Sequence, residues 1–234
     1  IMKSGKKFGI VVNKIDLVDK AFLLDIKHYF ARQRLKDKTF AKYFFGYAFV
    51  SATKRINTKS LWLLLNKYVR QKQAQITVGV FGLANSGKSS VINVLKGKHS
   101  ARTSIQAGFT KGVQLVRISK RIMLVDTPGV IENANHSIAE QVLTCSLNID
   151  KCSDAATVCI NFLQYMLKQE KTKHFLDAIA NHYGIAKINN AETILKFIAQ
   201  KFRFLAKHNQ LDLNRAAYKL MRDWYEGKIK FYML

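Results

Sequence analysis

Hydrophobic positions in the first half of the chain gather into short β-branched or aromatic runs, separated by longer stretches with apolar residues three and four apart. Phe8 to Val12 is one such run and ends in Asn13; Tyr47 to Val50 is another, ending at Ser51; Ile76 to Phe81 is a third and opens into a glycine-rich turn. Runs of this length and continuity predict buried parallel strands. Between them, Lys20 to Leu35 and Lys59 to Gln73 carry leucine and aromatic residues at helical spacing. Strand, helix, strand, helix predicts a doubly wound α/β sheet. Val113 to Ile118 and Arg121 to Val125, joined through Ser119-Lys120, read as a hairpin leading to Asp126.

From about Ser137 the strand pattern stops. Helical spacing places helices near 137–147, 154–169, 173–182, 191–206 and 212–226, and Asn133-Ala134-Asn135 is the best linker. Two domains are therefore expected: an α/β domain over 1–135 and a small all-α domain over 136–234. The longest apolar run, Tyr43 to Val50, is far shorter than the roughly 18 residues a membrane span needs, so no membrane partner is expected. Three cysteines and no secretory leader pattern predict free thiols in a reducing compartment, read as the cytoplasm.

Charge changes this picture. The chain carries 39 Lys and Arg against 15 Asp and Glu, a net +24. Residues 1–130 hold 25 of the basic and 5 of the acidic side chains, so the excess lies in the α/β half. A polyanion is the natural partner of such a surface, because each cation that meets a phosphate releases condensed counterions.

Gly82-Leu83-Ala84-Asn85-Ser86-Gly87-Lys88-Ser89 fits G-x-x-x-x-G-K-S, with an apolar strand before it and the periodic segment Ser90 to Leu95 after it. The spacing lets backbone N–H groups from Asn85 through Ser90 turn inward around phosphates, at the positive end of the following helix. Lys88 would reach the β- and γ-phosphates, and the Ser89 hydroxyl would coordinate Mg²⁺. Asp126-Thr127-Pro128-Gly129 follows the later hairpin strand; Asp126 can hold the same Mg²⁺ through water, and the Gly129 N–H can meet the γ-phosphate.

Asn13-Lys14-Ile15-Asp16 directly follows the first strand. The Asp16 carboxylate can accept from the N1–H and 2-amino group of guanine, which adenine does not offer. The Lys14 stem would cover the base, with Ile15 beside it, and Asn13 would tie this loop to the phosphate loop. Ser51-Ala52-Thr53, just past another strand, fits the segment whose backbone N–H meets the guanine 6-oxo group. Both segments sit at the carboxyl ends of strands, where open α/β sheets bind ligands.

These motifs resemble those of the Ras-type GTPase superfamily, but the base-recognition segments precede the phosphate loop, which is the order of the circularly permuted GTPases. Within that group, Gly82 to Ser90, Ala107-Gly108-Phe109-Thr110-Lys111-Gly112 and Asp126 to Val130 are similar to the ribosome-assembly GTPases of the bacterial ribosome-biogenesis GTPase A type and their archaeal and nucleostemin-like relatives. The tail from Leu211-Asp212 through Asp223-Trp224-Tyr225-Glu226-Gly227 resembles the C-terminal segment of the archaeal and eukaryotic members. The resemblance implies a P-loop GTPase domain in permuted order followed by an all-α domain. It implies GTP and GDP as ligands with Mg²⁺, the large ribosomal subunit precursor and its rRNA as partners, and a monomer; DNA is not expected. It also implies a further strand and helix upstream of Phe8, so an N-terminally incomplete chain is expected.

For hydrolysis, Thr110 is the expected switch threonine on Mg²⁺, with Thr103 as the alternative. Lys88, Thr110 and Gly129 form the expected catalytic set. The position that holds a water-orienting Gln in the Ras type is Val130 here, so slow intrinsic turnover is expected. Asn85 is similar to the phosphate-loop Asn of potassium-stimulated relatives and is expected near K⁺. Either an assembly GTPase or a GTP-gated rRNA-binding scaffold with incidental hydrolysis fits these features. Cys145, Cys152 and Cys159 recur every seven residues but lack the paired spacing a zinc site needs, and read as half-buried or core thiols. Trp224, Tyr225 and Tyr232 read as core aromatics rather than base-stacking platforms.

Overall fold

The computed structural model describes residues 5–83, 85–97, 114–126, 137–144, 147, 149–168, 173–188 and 190–231. The chain divides into two compact units, Ile1–Glu132 and Asn133–Leu234. In the first, the order is β1 (Phe8–Val12), α1 (Lys20–Lys36), α2 (Lys38–Tyr43), β2 (Phe44–Phe49), α3 (Lys59–Lys72), β3 (Ile76–Gly79), α4 (Lys88–Lys96), β4 (Gln114–Ser119) and β5 (Ile122–Asp126). Asp19 starts α1 by accepting from the Phe22 N–H at 2.8 Å. Asp37 starts α2 by accepting from the N–H groups of Thr39 at 2.7 Å and Phe40 at 3.0 Å. Such caps satisfy donors that the first helical turn leaves orphaned.

β1 and β2 pair in parallel. β3 pairs in parallel with β5, and β5 pairs antiparallel with β4 as the expected hairpin, giving the order β3-β5-β4. One apolar cluster joins the two sheets: Ala48 and Val50 meet Leu61, Leu65 and Val69 of α3, Val91 and Leu95 of α4, and Ile122 and Leu124 of β5. The expectation of fully buried strands holds for Ala48 and Phe49 of β2 but not for β1 or β3, none of whose residues is fully buried. Pairing does not account for the difference, because among the described residues β2 also has a single partner; Ala48 is buried because it packs in the cluster with Leu61, Leu65 and Val69 of α3.

The second unit is helical: α5 (Ile138–Leu143), α6 (Ala155–Leu167), α7 (Lys173–Tyr183), α8 (Ala191–Lys201) and α9 (Leu213–Tyr225). Ser137 and Glu140 form a reciprocal capping box at the start of α5. α5 ends at Leu143 rather than near 147, and α8 at Lys201 rather than near 206. Arg203 takes a left-handed conformation (φ 53°) and the Phe204 N–H turns back to the Ala199 carbonyl at 2.8 Å, which closes α8. Trp224 stacks on Phe162 at 5.4 Å between ring centres and the Tyr225 hydroxyl donates to the Val142 carbonyl at 3.3 Å, so both aromatics serve the core. Cys159 is buried within α6, and that burial pushes its thiol up to about 12. Cys152 lies in the turn before that helix, so the two share no helix face; Cys145 and Tyr232 lie outside the described residues.

Asp223 is the charged residue at the centre of this unit. It accepts from the Tyr183 hydroxyl at 2.9 Å, from Lys219 at 2.6 Å and from Lys228 at 3.1 Å, with His182 at 3.5 Å. Burial alone would push its carboxyl up; the donors from Lys219, Lys228 and Tyr183 outweigh burial and hold it at about 2. A carboxylate depressed in the folded state stabilises fully above its unfolded value of 3.8, and that contribution fades as pH falls toward about 2. Asp223→Ala strips these partners of their acceptor and is expected to cost about 3 kcal/mol in urea unfolding at pH 7, with a smaller loss for Asp223→Asn. A loss below about 1 kcal/mol would contradict the role given to this carboxylate.

No helix among the described residues is long and apolar enough to cross a membrane.

Candidate functional site

β3 runs into the glycine-rich turn and α4 leaves it, with Gly87 as the residue before the first helical turn. Gly87 is left-handed (φ 88°), and no side chain caps α4. The N-terminal amides of a nine-residue helix are thus offered without competition from a neighbouring Ser or Asp, where a phosphate is most favoured. Across the turn, the Leu83 carbonyl accepts from the Ser86 hydroxyl at 2.8 Å and from Lys88 Nζ at 2.6 Å. Lys88 therefore already points across the loop it belongs to. Ser89 and Asn85 are exposed, Asn85 in a left-handed conformation (φ 55°), and Ser90 is half-buried.

The second loop reaches this one through Asn13. Its Nδ2 donates to the Ser86 carbonyl at 3.1 Å, while its Oδ1 accepts from the Ala52 N–H at 3.0 Å. Three segments distant in sequence are thereby joined by one side chain: the end of β1, the end of β2 and the phosphate loop. Gly87 is part of the same junction, because a Cβ built there would land well inside van der Waals contact with Asn13 Nδ2. Lys14 is left-handed (φ 61°), and the Ile15 N–H donates to the Val50 carbonyl at 3.2 Å. A single turn of 3-10 helix, Ile15–Leu17, then holds Asp16 exposed. Ser51 is fully buried, and its hydroxyl accepts from the Lys54 N–H at 3.3 Å. In this structure the Ala52 N–H is engaged by Asn13 rather than open toward a base.

β3 and β5 are parallel with Gly79 opposite Val125, so their carboxyl ends lie at one edge of the sheet. That register puts the backbone of Asp126 beside the strand that enters the glycine-rich turn. Thr103, Thr110, Gly129 and Val130 lie outside the described residues.

Residues 77–199, just over half of the chain, match the family described as 50S ribosome-binding GTPase. The chain belongs to that family. In this 50S ribosome-binding GTPase family chain the guanine-type motif at 13–16 precedes the matched region, which is the circularly permuted order. A GTP-binding protein of Methanocaldococcus jannaschii, described as uncharacterized, is 32% identical over 99% of this chain and 57% of its own length. Guanine nucleotide-binding protein-like 3-like protein of Mus musculus is 29% identical over 99% of this chain and 42% of its own length. The chain thus spans about half the length of the curated relatives it matches. Among solved structures, the GDP-bound structure of TM YlqF superposes with a TM-score of 0.62 at 22% identity, covering 94% of this chain and 79% of that one. That likeness concerns the fold, and it is the P-loop GTPase fold in permuted order.

Two features of these loops are not legible in the sequence. The Leu83 carbonyl, as the shared acceptor for Ser86 and Lys88, carries no signal in a side-chain pattern. The tie from Asn13 to the phosphate loop is expected from the motifs; that it passes so close to Gly87 that a Cβ would strike it is not, because it depends on how the two loops approach in space.

Proposed function

We propose that this chain binds a guanine nucleotide across the two loops and hydrolyses GTP as part of large ribosomal subunit assembly. The observation that carries the reading is the Asn13 bridge, which brings a base-type loop and a phosphate-type loop to one strand edge. On this reading Asp16 takes the guanine edge, Lys14 and Ile15 flank the base, and Ser51 and Ala52 shape its far side. The amides of Asn85 to Ser90 cradle the phosphates. Lys88 exchanges its Leu83 partner for the β- and γ-phosphates and neutralises charge that grows as the terminal phosphoryl group leaves.

The donor set suits Mg²⁺: a hydroxyl at Ser89 and a carboxylate at Asp126 are hard oxygen ligands of the kind that ion takes alongside phosphate oxygens. Bound there, Mg²⁺ would polarise the β- and γ-phosphate oxygens. Thr110 and Gly129 are assigned by motif to the γ-phosphate shell, and Asn85 to K⁺. With Val130 where a water-orienting amide would stand, the attacking water is oriented by a group from the assembly particle, and intrinsic turnover is slow. The basic first half favours rRNA as the surface engaged. The compartment is that of ribosome assembly, cytoplasmic in a cell without a nucleolus.

Turnover measured in K⁺ and in Na⁺, with and without 50S particles, tests this directly. The expected result is stimulation of about tenfold or more by the particles, equal to about 1.4 kcal/mol off the barrier. An unchanged rate would overturn the assembly-GTPase reading in favour of a GTP-gated rRNA-binding scaffold.

A further inference from the structure

The edge of β2 that does not face β1 borders a groove of about 800 Å³ between α1 and α3. No β1 residue lines it, and its β2 residues are the first ones of that strand, at the opposite end from Ser51 and the Asn13 bridge. Phe30 and Tyr47 form its floor, their rings 5.3 Å apart. Leu35 on one rim is 86% exposed and Leu63 on the other is 70% exposed. A single exposed leucine needs no explanation, but two lining one groove with an aromatic floor gather apolar surface in one place, which marks contact with a partner.

Charge narrows the occupant. Lys27 and Arg34 stand on the α1 side and Lys67 on the α3 side, all exposed, and no carboxylate lines the groove. The partner therefore brings negative charge to both rims and apolar groups to the middle. Single-stranded RNA would bring the charge, but its bases need open ring faces. Phe30 is packed against Phe44 and Tyr47, and Tyr47 against Phe49, so the aromatic floor is already committed to its own neighbours. Aliphatic side chains fit such a floor better than bases do. Among the described residues, moreover, no strand pairs with this edge of β2, which leaves backbone donors and acceptors in position to meet an extended chain.

We infer that this groove docks an extended acidic segment of a protein partner along β2, its apolar side chains entering between Leu35 and Leu63 and its carboxylates meeting Lys27, Arg34 and Lys67. An extended chain sends successive side chains to opposite sides, so alternating acidic and apolar residues suit a groove with a charged rim and an apolar floor. The surface is separate from the nucleotide loops, and its occupancy does not depend on the GTPase reading.

The probe is a fluorescein-labelled peptide of alternating Glu with Leu and Val, read by fluorescence anisotropy and compared with the same peptide carrying Lys for Glu and with a uridine oligonucleotide. The expected result is saturable binding of the acidic peptide, at least about tenfold tighter than the basic one, as opposite-charge complementarity requires. The double variant Arg34→Glu/Lys67→Glu should weaken it about tenfold or more, as should Leu63→Ser, with thermal unfolding as the check that each variant folds. Absence of saturable binding, equal binding of the two peptides, or affinity untouched by the double variant would each overturn the proposal. An oligonucleotide that outcompetes the peptide and is itself lost in the double variant would overturn it too, and would give the groove to RNA.

Discussion

Gly87→Ala is expected to bind Mg²⁺-GTP about 100-fold more weakly than the parent chain. Two costs act together at this position. A side chain at φ 88° sits in the left-handed region, which costs an L-residue about 1 to 2 kcal/mol. The added methyl also falls on Asn13 Nδ2, and Asn13 is not free to move aside, because it is held at 3.1 Å by the Ser86 carbonyl and at 3.0 Å by the Ala52 N–H. Displacing it forfeits both hydrogen bonds, at about 0.5 to 1.5 kcal/mol each. The free chain escapes both costs by letting the loop relax, so restoring the binding shape takes up to about 3 kcal/mol, which is about two decades in affinity. Titration calorimetry with Mg²⁺-GTP reads the effect, and a double-mutant cycle isolates its cause. Asn13→Ala alone should lose about tenfold, and adding Gly87→Ala to it should lose less than Gly87→Ala does on its own, because the clashing group is gone. Additive losses would mean that Gly87 and Asn13 act separately, against the junction described for them.

The order of elements in the first unit was legible because each strand is a short apolar run that stops at a polar residue. Asn13, Ser51 and Gly82 mark those stops, and the motifs that supply the proposed site begin at the same positions. Periodicity does not report whether a strand finds neighbours on both sides. The half-exposed state of β1 and β3 depends on which side chains of other elements cover them, which is non-local, and is not legible in Phe8 to Val12 or Ile76 to Phe81 alone.

Two helices differ from the periodicity for local reasons. α2 is absent from the periodicity because Lys38 to Tyr43 is too brief to show a period, although Asp37, which caps it through two N–H groups, is a legible start signal. Periodicity extends α8 to about residue 206 because Phe204 and Leu205 continue an apolar pattern that the backbone abandons at Arg203. The basic excess pointed to a polyanion without pointing to a place. The groove beside β2, lined by Leu35 and Leu63 from helices more than twenty residues apart, exists only once the chain is folded.

The second large effect concerns base choice, and it also provides the most direct test of whether one nucleotide spans both loops. Asp16 sits exposed on a single 3-10 turn, held by the Ile15 N–H on the Val50 carbonyl and by the Leu17 N–H on the Lys14 carbonyl at 3.0 Å. Asp16→Asn keeps the shape and replaces one acceptor with an amide donor. That donor opposes the 2-amino group of guanine but meets the 2-oxo group of xanthine, while the remaining carbonyl still accepts from N1–H. A site built to hydrogen-bond one edge rejects an edge it leaves unpaired by large factors. The phosphate loop, more than sixty residues downstream in the sequence, is untouched by the change.

The decisive measurement is therefore the affinity of Mg²⁺-GTP and Mg²⁺-XTP for the parent chain and for Asp16→Asn. If the base and phosphate loops share one ligand, GTP affinity falls by about 100-fold or more and XTP affinity rises until the preference is reversed. A variant that holds GTP as tightly as the parent would mean that the Asn13 to Asp16 loop does not touch the base, and the bridge between the two loops would be structural only.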